Sequence, residues 1–164
     1  MKENDLLISN RSGCYTVTVS GRANFEYAVP LRDLARSTAE FSAFCFDMKN
    51  CTAMDSTFMG VLTMLALKAR KSGLVIDICN ANETLKKLLR DLGVAKLFNF
   101  KELETNSEGV DSSEKRDLLT TAETVEEAHR ALADLNPENA EKFKDVIEFS
   151  HQDVERLKEQ NKDK

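Results

Sequence analysis

The chain has 164 residues, a formal net charge of −5 and a hydrophobic fraction of 41%, which suits one compact domain with an appendage. Its first five residues are polar and acidic, unlike a signal peptide, and no apolar run approaches the roughly 18 residues that span a bilayer. We therefore expect a cytoplasmic protein without membrane insertion. Residues 1–105 carry a net charge of +2 (14 basic, 12 acidic) and residues 106–164 a net charge of −7 (9 basic, 16 acidic), and this acidic tail argues against nucleic-acid binding.

Strand-like and helix-like segments alternate through the first hundred residues. In chain order we predict two strands (5–9, 14–20), a helix (24–36), a strand (43–48), a helix (56–71), a strand (74–78), a helix (82–92) and a strand (97–100). Pro30 suggests that the regular part of the first helix begins there, and Gly73 suits the left-handed turn that ends the second. The alternation predicts an α/β fold with a mixed, mainly parallel sheet flanked by helices.

The corner between the strand at 43–48 and the helix at 56–71 holds the most informative residues. Ser56 and Thr57 follow Asp55 at the start of the helix, where a side-chain oxygen can cap a free backbone N–H group. The positive end of the helix dipole would also stabilise a phosphate group there. From spacing alone, the corner is either an ordinary helix cap or part of a functional site.

Residues 52–60 resemble the Asp-Ser-[Ser/Thr]-Gly-Leu-Gly signature of STAS domains, the family of bacterial anti-sigma factor antagonists. The similarity extends over about residues 5–103, through the turn at 21–24, the strands at 44–48 and 74–79, and the closing pattern at 85–98. It implies the STAS fold with a helical hairpin added at the C-terminus, and a STAS domain over residues 1–104. It also implies that Ser56 is the phosphorylation site, with Thr57 as the second candidate.

The resemblance further implies a non-enzymatic phosphoprotein that regulates transcription by partner switching. When Ser56 is unphosphorylated, the domain would bind an anti-sigma factor or serine protein kinase; phosphorylation would release this partner, and a cognate phosphatase would restore binding. No cofactor or metal is implied. The implied partner-binding residues are Asn24, Asp55, Ser56, Thr57, Phe58, Met59 and Gly60.

Departures from the family pattern keep a second function open. Phe58 replaces the first signature glycine, Met59 replaces the leucine, and Asn24 stands where the family has an aspartate. These changes favour a constitutive scaffold or transporter-associated module that oligomerises through its helical extension. Phe58 would then be an exposed anchor, or it would turn inward and pack in the core.

The positions of histidine and cysteine argue against an enzyme. His129 and His151 both lie in the tail and are interpreted as ordinary surface or interface residues, so the STAS domain offers no histidine as a base for Ser56. The cysteines lack CxxC or metal-type spacing, and Cys45 and Cys79 are expected to be buried, reduced thiols. We expect no catalysis, cofactor or metal.

An acidic, polar linker over residues 105–120 precedes a helical extension over residues 121–160. Residues 124–127 fit a capping box, which predicts that the first helix of the extension begins there, and Asn136 with Pro137 predicts the start of the second. A helix of about 12 residues is marginal alone, so the apolar stripes need a cover. The STAS core, the hairpin of a second subunit and a separate protein remain open, and we expect the covered hairpin to modulate access to Ser56.

Overall fold

The structure is a computed structural model that describes residues 5–37, 41–103, 110–111 and 117–162. Its strands are β1 (Asp5–Arg11), β2 (Cys14–Ala23), β3 (Ala43–Met54), β4 (Ile76–Cys79), β5 (Phe98–Lys101) and β6 (Val110–Asp111). Its helices are α1 (Phe25–Ser37), α2 (Ser56–Lys71), α3 (Glu83–Asp91), α4 (Leu118–Ala133), α5 (Pro137–Lys142) and α6 (Lys144–Lys162), with a 3₁₀ turn at Ala95–Leu97.

The strands form one sheet in the order β5-β4-β3-β2-β1-β6. Strands β2 to β5 pair in parallel, and β1 is antiparallel to both of its neighbours. Because the successive parallel strands are added in one direction and such crossovers are right-handed, α1, α2 and α3 lie on one face of the sheet. The predicted mixed, mainly parallel sheet with helices and a C-terminal helical extension is confirmed.

The main core lies between the sheet and this helical layer. Phe46 from β3, Ile78 from β4 and Phe58 from α2 are all at most 1% exposed. Strand β3 continues to Met54, well past the predicted end at residue 48, because its last residues pair with the irregular end of β2. The backbone N–H of Asp55 then donates to the carbonyl of Ala23 at 3.0 Å, which aligns the starts of α1 and α2 at one edge.

Two predicted helix starts are wrong. Helix α1 is already regular from Phe25 and contains Pro30, whereas the regular part was predicted to begin at Pro30. The reason is that the side chain of Asn24 accepts the backbone N–H of Glu26, which is a free donor in the first turn of the helix. Helix α4 begins at Leu118, with Asp117 as its cap, rather than at the capping box over residues 124–127. Thr124 lies inside α4, where its hydroxyl donates to the carbonyl of Thr120 at 2.7 Å.

The C-terminal extension packs on the α/β core, with α4 against α2 and α1, and α6 against α4. Asn136 caps α5 and Pro137 is its first residue, as predicted. The second predicted helix is in fact two, because the backbone at Phe143 leaves the helical conformation between α5 and α6. Much of the predicted linker at 105–120 lies outside the described residues, and β6 falls within it.

The four cysteines are free thiols in different environments. Cys51 and Cys79 are buried and Cys45 is half-buried, whereas Cys14 is exposed. The Sγ atoms of Cys45 and Cys79, on adjacent strands, are 2.6 Å apart. Burial raises the pKa of the Cys51 thiol to about 11, although backbone hydrogen bonds act in the opposite direction.

Candidate functional site

Ser56 is the first residue of α2 and lies at the carboxyl-terminal edge of the parallel strands. Asp55, immediately before it, has an extended backbone and accepts the N–H of Phe58 on its Oδ1 at 2.8 Å. Asp55 is therefore the helix cap, and Ser56 is left to make other contacts. Its side chain is partly exposed.

The Ser56 hydroxyl is hydrogen bonded to His129, a residue 73 positions away on α4. The distance from Ser56 Oγ to His129 Nε2 is 2.8 Å, and His129 Nδ1 lies 2.7 Å from the carbonyl oxygen of Val125. Since a carbonyl can only accept, Nδ1 carries the hydrogen, and Nε2 of the neutral ring accepts from the Ser56 hydroxyl. The interpretation of His129 as an ordinary surface or interface residue remote from Ser56 is corrected, because docking of α4 brings it to the corner.

His129 is only 3% exposed, and its ring also meets that of Phe143 at a centroid distance of 5.0 Å. Burial lowers the pKa of His129, while its bond to Val125 and the nearby charge of Asp55 oppose this shift. The neutral ring is thus favoured as the acceptor. His151 behaves differently, because it is exposed on α6 and contacts Glu126 at 3.2 Å.

The Ser56–His129 pair resembles the first two members of a serine nucleophile system. Burial raises the pKa of Asp55, and hydrogen bonds from the backbone N–H groups of Phe58, Phe25 and Thr57 oppose the shift. These N–H groups, which could otherwise stabilise an oxyanion, are directed at the Asp55 carboxylate. The corner therefore positions a serine hydroxyl beside a neutral imidazole and a carboxylate that accepts backbone hydrogen bonds.

The seven predicted partner-binding residues divide into an accessible set and a buried set. Asn24, Asp55 and Ser56 are partly exposed. The other four are buried: Thr57, Phe58, Met59 and Gly60. Their contact with a partner stays a prediction. Phe58 has no exposed surface, so of its two expected positions the structure selects the core. Thr57, the second candidate phosphoacceptor, is less accessible than Ser56.

Helices α2 and α4 come very close together at Gly60. A Cβ atom added there would lie 2.3 Å from the carbonyl oxygen of Ala128 and 2.6 Å from its Cβ. Only glycine allows the two helix backbones to come this close. The glycine retained from the family signature is therefore a helix-packing residue in this chain.

A buried arginine holds α4 to α1. Arg32, 3% exposed, donates from Nε and Nη2 to the two carboxylate oxygens of Glu127 at 3.1 and 2.9 Å, and its Nη2 lies 3.5 Å from Glu123. Bidentate arginine–carboxylate pairs fix geometry as well as charge. Helix α4 is thus placed by a close backbone contact on α2, an ion pair on α1 and the His129–Ser56 hydrogen bond.

An open cleft of about 250 Å³ lies beside the corner, where β2 and β3 end. Its lining includes Arg22, Asn24 and Asp55, and Phe25, 43% exposed, follows next in the chain. Arg22, Phe25 and His129 were not predicted as site residues. The sequence does place His129 next to Ala128, on the apolar stripe of the tail, and this pattern could have predicted its burial. No pattern of neighbouring residues connects it to Ser56.

Within the described ranges, no group of three or more histidine, cysteine, aspartate or glutamate side chains could hold a metal ion. Across the same ranges, no helix is long and apolar enough to cross a membrane.

Comparison with known proteins places the chain in a family. Residues 7–101 match the family model described as "Mlab, STAS domain". A search of curated proteins finds no match. Similar solved structures include the anti-sigma factor antagonist SpoIIAA in its unphosphorylated form, with 10% identity, a TM-score of 0.46 and coverage of 62% of this chain and 89% of that one. Another is a candidate anti-sigma factor antagonist from Thermotoga maritima, with 14% identity, a TM-score of 0.49 and coverage of 62% and 88%. The family match extends over more than half of the sequence, and the chain therefore belongs to the STAS domain family.

Proposed function

We propose that this protein is a cytoplasmic bacterial regulator of transcription that acts by partner switching, with Ser56 as its phosphoacceptor. The unphosphorylated protein binds an anti-sigma factor or serine protein kinase, phosphorylation of Ser56 releases that partner, and a phosphatase reverses the change. The observation that carries the proposal is the position of Ser56, which is partly exposed at the strand-to-helix corner of a STAS domain while Asp55 performs the capping role.

The accessible part of the corner would form the partner surface. Asn24, Asp55 and Ser56 lie along the same edge as Arg22 and the half-exposed ring of Phe25. Aromatic and arginine side chains commonly contribute most to binding at protein interfaces. A partner at this edge would touch the phosphoacceptor directly without first displacing α4.

Phosphorylation at this position would act through charge. A phosphoserine carries about −1.5 to −2 charges at neutral pH, and here it would stand beside the Asp55 carboxylate at an edge that a partner must desolvate. Like charges placed together at an interface cost several kcal/mol. Loss of partner binding follows unless the partner brings compensating cations.

The surroundings of Ser56 also support a regulator rather than an enzyme. His129 could accept the hydroxyl proton, but the Asp55 carboxylate uses the N–H donors that an acyl- or phosphoryl-transfer site would need. The Ser56–His129 pair therefore serves binding and regulation in this proposal.

A constitutive scaffold is the second candidate. It is favoured by the burial of Phe58 in the core and by the close contact of Gly60 with Ala128 on α4, because neither residue is then open to a partner. Phe149 and Val146, exposed on α6, would then supply a contact for oligomerisation. A scaffold of this kind needs no modification of Ser56.

The decisive experiment joins a phosphopeptide map with binding measurements. The protein is purified from its native cells and mapped for phosphate at Ser56 and Thr57. Candidate serine kinases from the same genome are then titrated calorimetrically against wild type, Ser56→Ala and Ser56→Asp. Thr52→Asp is the matched control, because Thr52 is exposed and lies four residues before Ser56 in the chain.

Partner switching predicts phosphate at Ser56, retained binding by Ser56→Ala and weakened binding by Ser56→Asp alone. An unphosphorylated native protein, together with equal binding by all variants, would reject this function and favour the scaffold.

A further inference from the structure

We infer that phosphorylation of Ser56 undocks α4 from the STAS core, and that His129 is the positioning residue through which α4 responds to the state of Ser56. This inference rests on the proposed function, since it takes Ser56 as the phosphoacceptor. It adds a second consequence of phosphorylation, a change in the chain's own tertiary structure.

The contact between Ser56 and His129 is direct and leaves the histidine ring little freedom. Nε2 of His129 lies 2.8 Å from Ser56 Oγ, while Nδ1 is held by the carbonyl of Val125 and the ring packs on Phe143. A phosphoryl group on Oγ replaces the hydrogen that this bond requires. The group must also be accommodated beside a ring that is 3% exposed, so the present contact is lost.

Helix α4 is packed too closely on α2 and α1 to tilt towards them and so make room for a phosphate at Ser56. Gly60 already lies against the backbone of Ala128, in the turn that carries His129. Glu127, which precedes Ala128 in the chain, is held by Nε and Nη2 of the buried Arg32. Packed helices with such close backbone contact tend to switch between arrangements rather than deform gradually.

The groups that α4 presents to Ser56 do not compensate the charge of a phosphate. Asp55 supplies a carboxylate from the start of α2, and α4 supplies the ring of His129, for which burial favours the neutral form. A phosphate brings roughly two negative charges, and the Nε2 atom that faces it is an acceptor, because Nδ1 carries the hydrogen that is donated to the carbonyl of Val125. Separation of α4 from α2 removes this contact between two acceptors.

Undocking has a measurable consequence because α4 has 16 residues, near the length at which an isolated helix is marginal in water. Released α4 would fray, and its amide hydrogens would exchange faster. By thermodynamic reciprocity, docked α4 would in turn disfavour the phosphorylated state.

The test compares hydrogen exchange in full-length chains that carry genetically encoded phosphoserine. Phosphoserine at position 56 is the test, and Thr52→phosphoserine is the control, because Thr52 is exposed and lies four residues before Ser56 in the chain. We expect exchange of the α4 amides to accelerate about 5- to 150-fold at position 56, the range typical of coupled sites, and to stay unchanged at position 52. Unaltered amides in β3 and β4 will show that the core is folded. Unchanged or slower exchange of α4 in the phosphoserine-56 chain would overturn the inference.

Two histidine variants test the role of His129. His129→Ala should accelerate exchange of α4 in the unmodified chain and reduce the additional effect of phosphoserine 56. A residue that contributed only packing would leave that additional effect unchanged, and this result would also contradict the assignment. His151→Ala should behave like the parent chain, because His151 is exposed and does not contact Ser56.

Failure here can be separated from failure of the proposed function. Encoded phosphoserine is present whether or not a native kinase exists, so release of α4 can be observed even if native protein carries no phosphate. Conversely, phosphate at Ser56 and partner release with fully protected α4 would leave the proposed function standing and reject the inference.

Discussion

Gly60→Ala is the sharpest perturbation of the contact between α2 and α4. The added methyl carbon would lie 2.3 Å from the carbonyl oxygen of Ala128, while ordinary contact begins near 3.4 Å. Helix α4 would therefore have to retreat by about 1 Å, and the nearest atom belongs to its backbone, which cannot rotate away as a flexible side chain could.

The expected magnitude combines two opposing effects. Overpacking of this kind commonly costs about 1–3 kcal/mol, and the cost falls on the docking of α4. Alanine is also a better helix former than glycine by about 1 kcal/mol, and this gain falls on α2 itself. We therefore expect a stable core from which α4 is partly or wholly released.

Hydrogen exchange of α4 and α2 in the same sample separates these effects. The variant should show faster exchange in α4 and unchanged or slower exchange in α2, and a chain truncated after Thr105 shows how the core behaves without the extension. Adding Ala128→Gly should rescue docking only partly, because it removes the Cβ contact at 2.6 Å and leaves the carbonyl contact at 2.3 Å. Wild-type protection of α4 in Gly60→Ala would refute the proposed packing role, and full rescue by Ala128→Gly would show that the side chain was the obstacle.

Three further predictions concern charge, pH and thiol reactivity. Arg32→Gln should lower the free energy of unfolding in urea by about 1.5–3 kcal/mol, because it removes charge-assisted hydrogen bonds at a buried site. Arg36 is exposed, so Arg36→Gln should change this free energy by about 0.5 kcal/mol or less. Equal losses of stability in the two variants would contradict the prediction. Burial lowers the pKa of His129 in the folded state, so the state in which His129 is released binds more protons. Docking of α4 should therefore weaken as the pH falls below the ordinary histidine value of about 6.5. Exchange rates of the α4 amides, measured over a pH series in wild type and in His129→Gln, check this, and the same pH dependence in both proteins would oppose it. Iodoacetamide at neutral pH should modify the exposed Cys14 first and Cys51 much later, because burial raises the pKa of the Cys51 thiol to about 11. Mass spectrometry of timed samples measures the order of modification, and early modification of Cys51 would argue against its burial.

Local rules were sufficient for the architecture and for part of the corner. The predicted bounds of α2 match the structure because Asp55 caps a long apolar helical pattern, and Asn136 with Pro137 marks α5 for a similar reason. Capping and periodicity act within a few residues, so they can be recognised in one sequence. They were less reliable where two signals competed, as when Asp117 proved to be the cap of α4 and Thr124 an interior residue.

The sequence by itself therefore determined the alternation of strands and helices, the STAS resemblance and the place of Ser56 at a helix start. Only the tertiary structure decided that α4 covers α2, that Phe58 turns inward and that His129 meets Ser56. The physical reason is that these contacts join residues far apart in the chain through matching shapes and charges. The missing side chain of Gly60 and the buried charge of Arg32 become informative only when α4 lies against them.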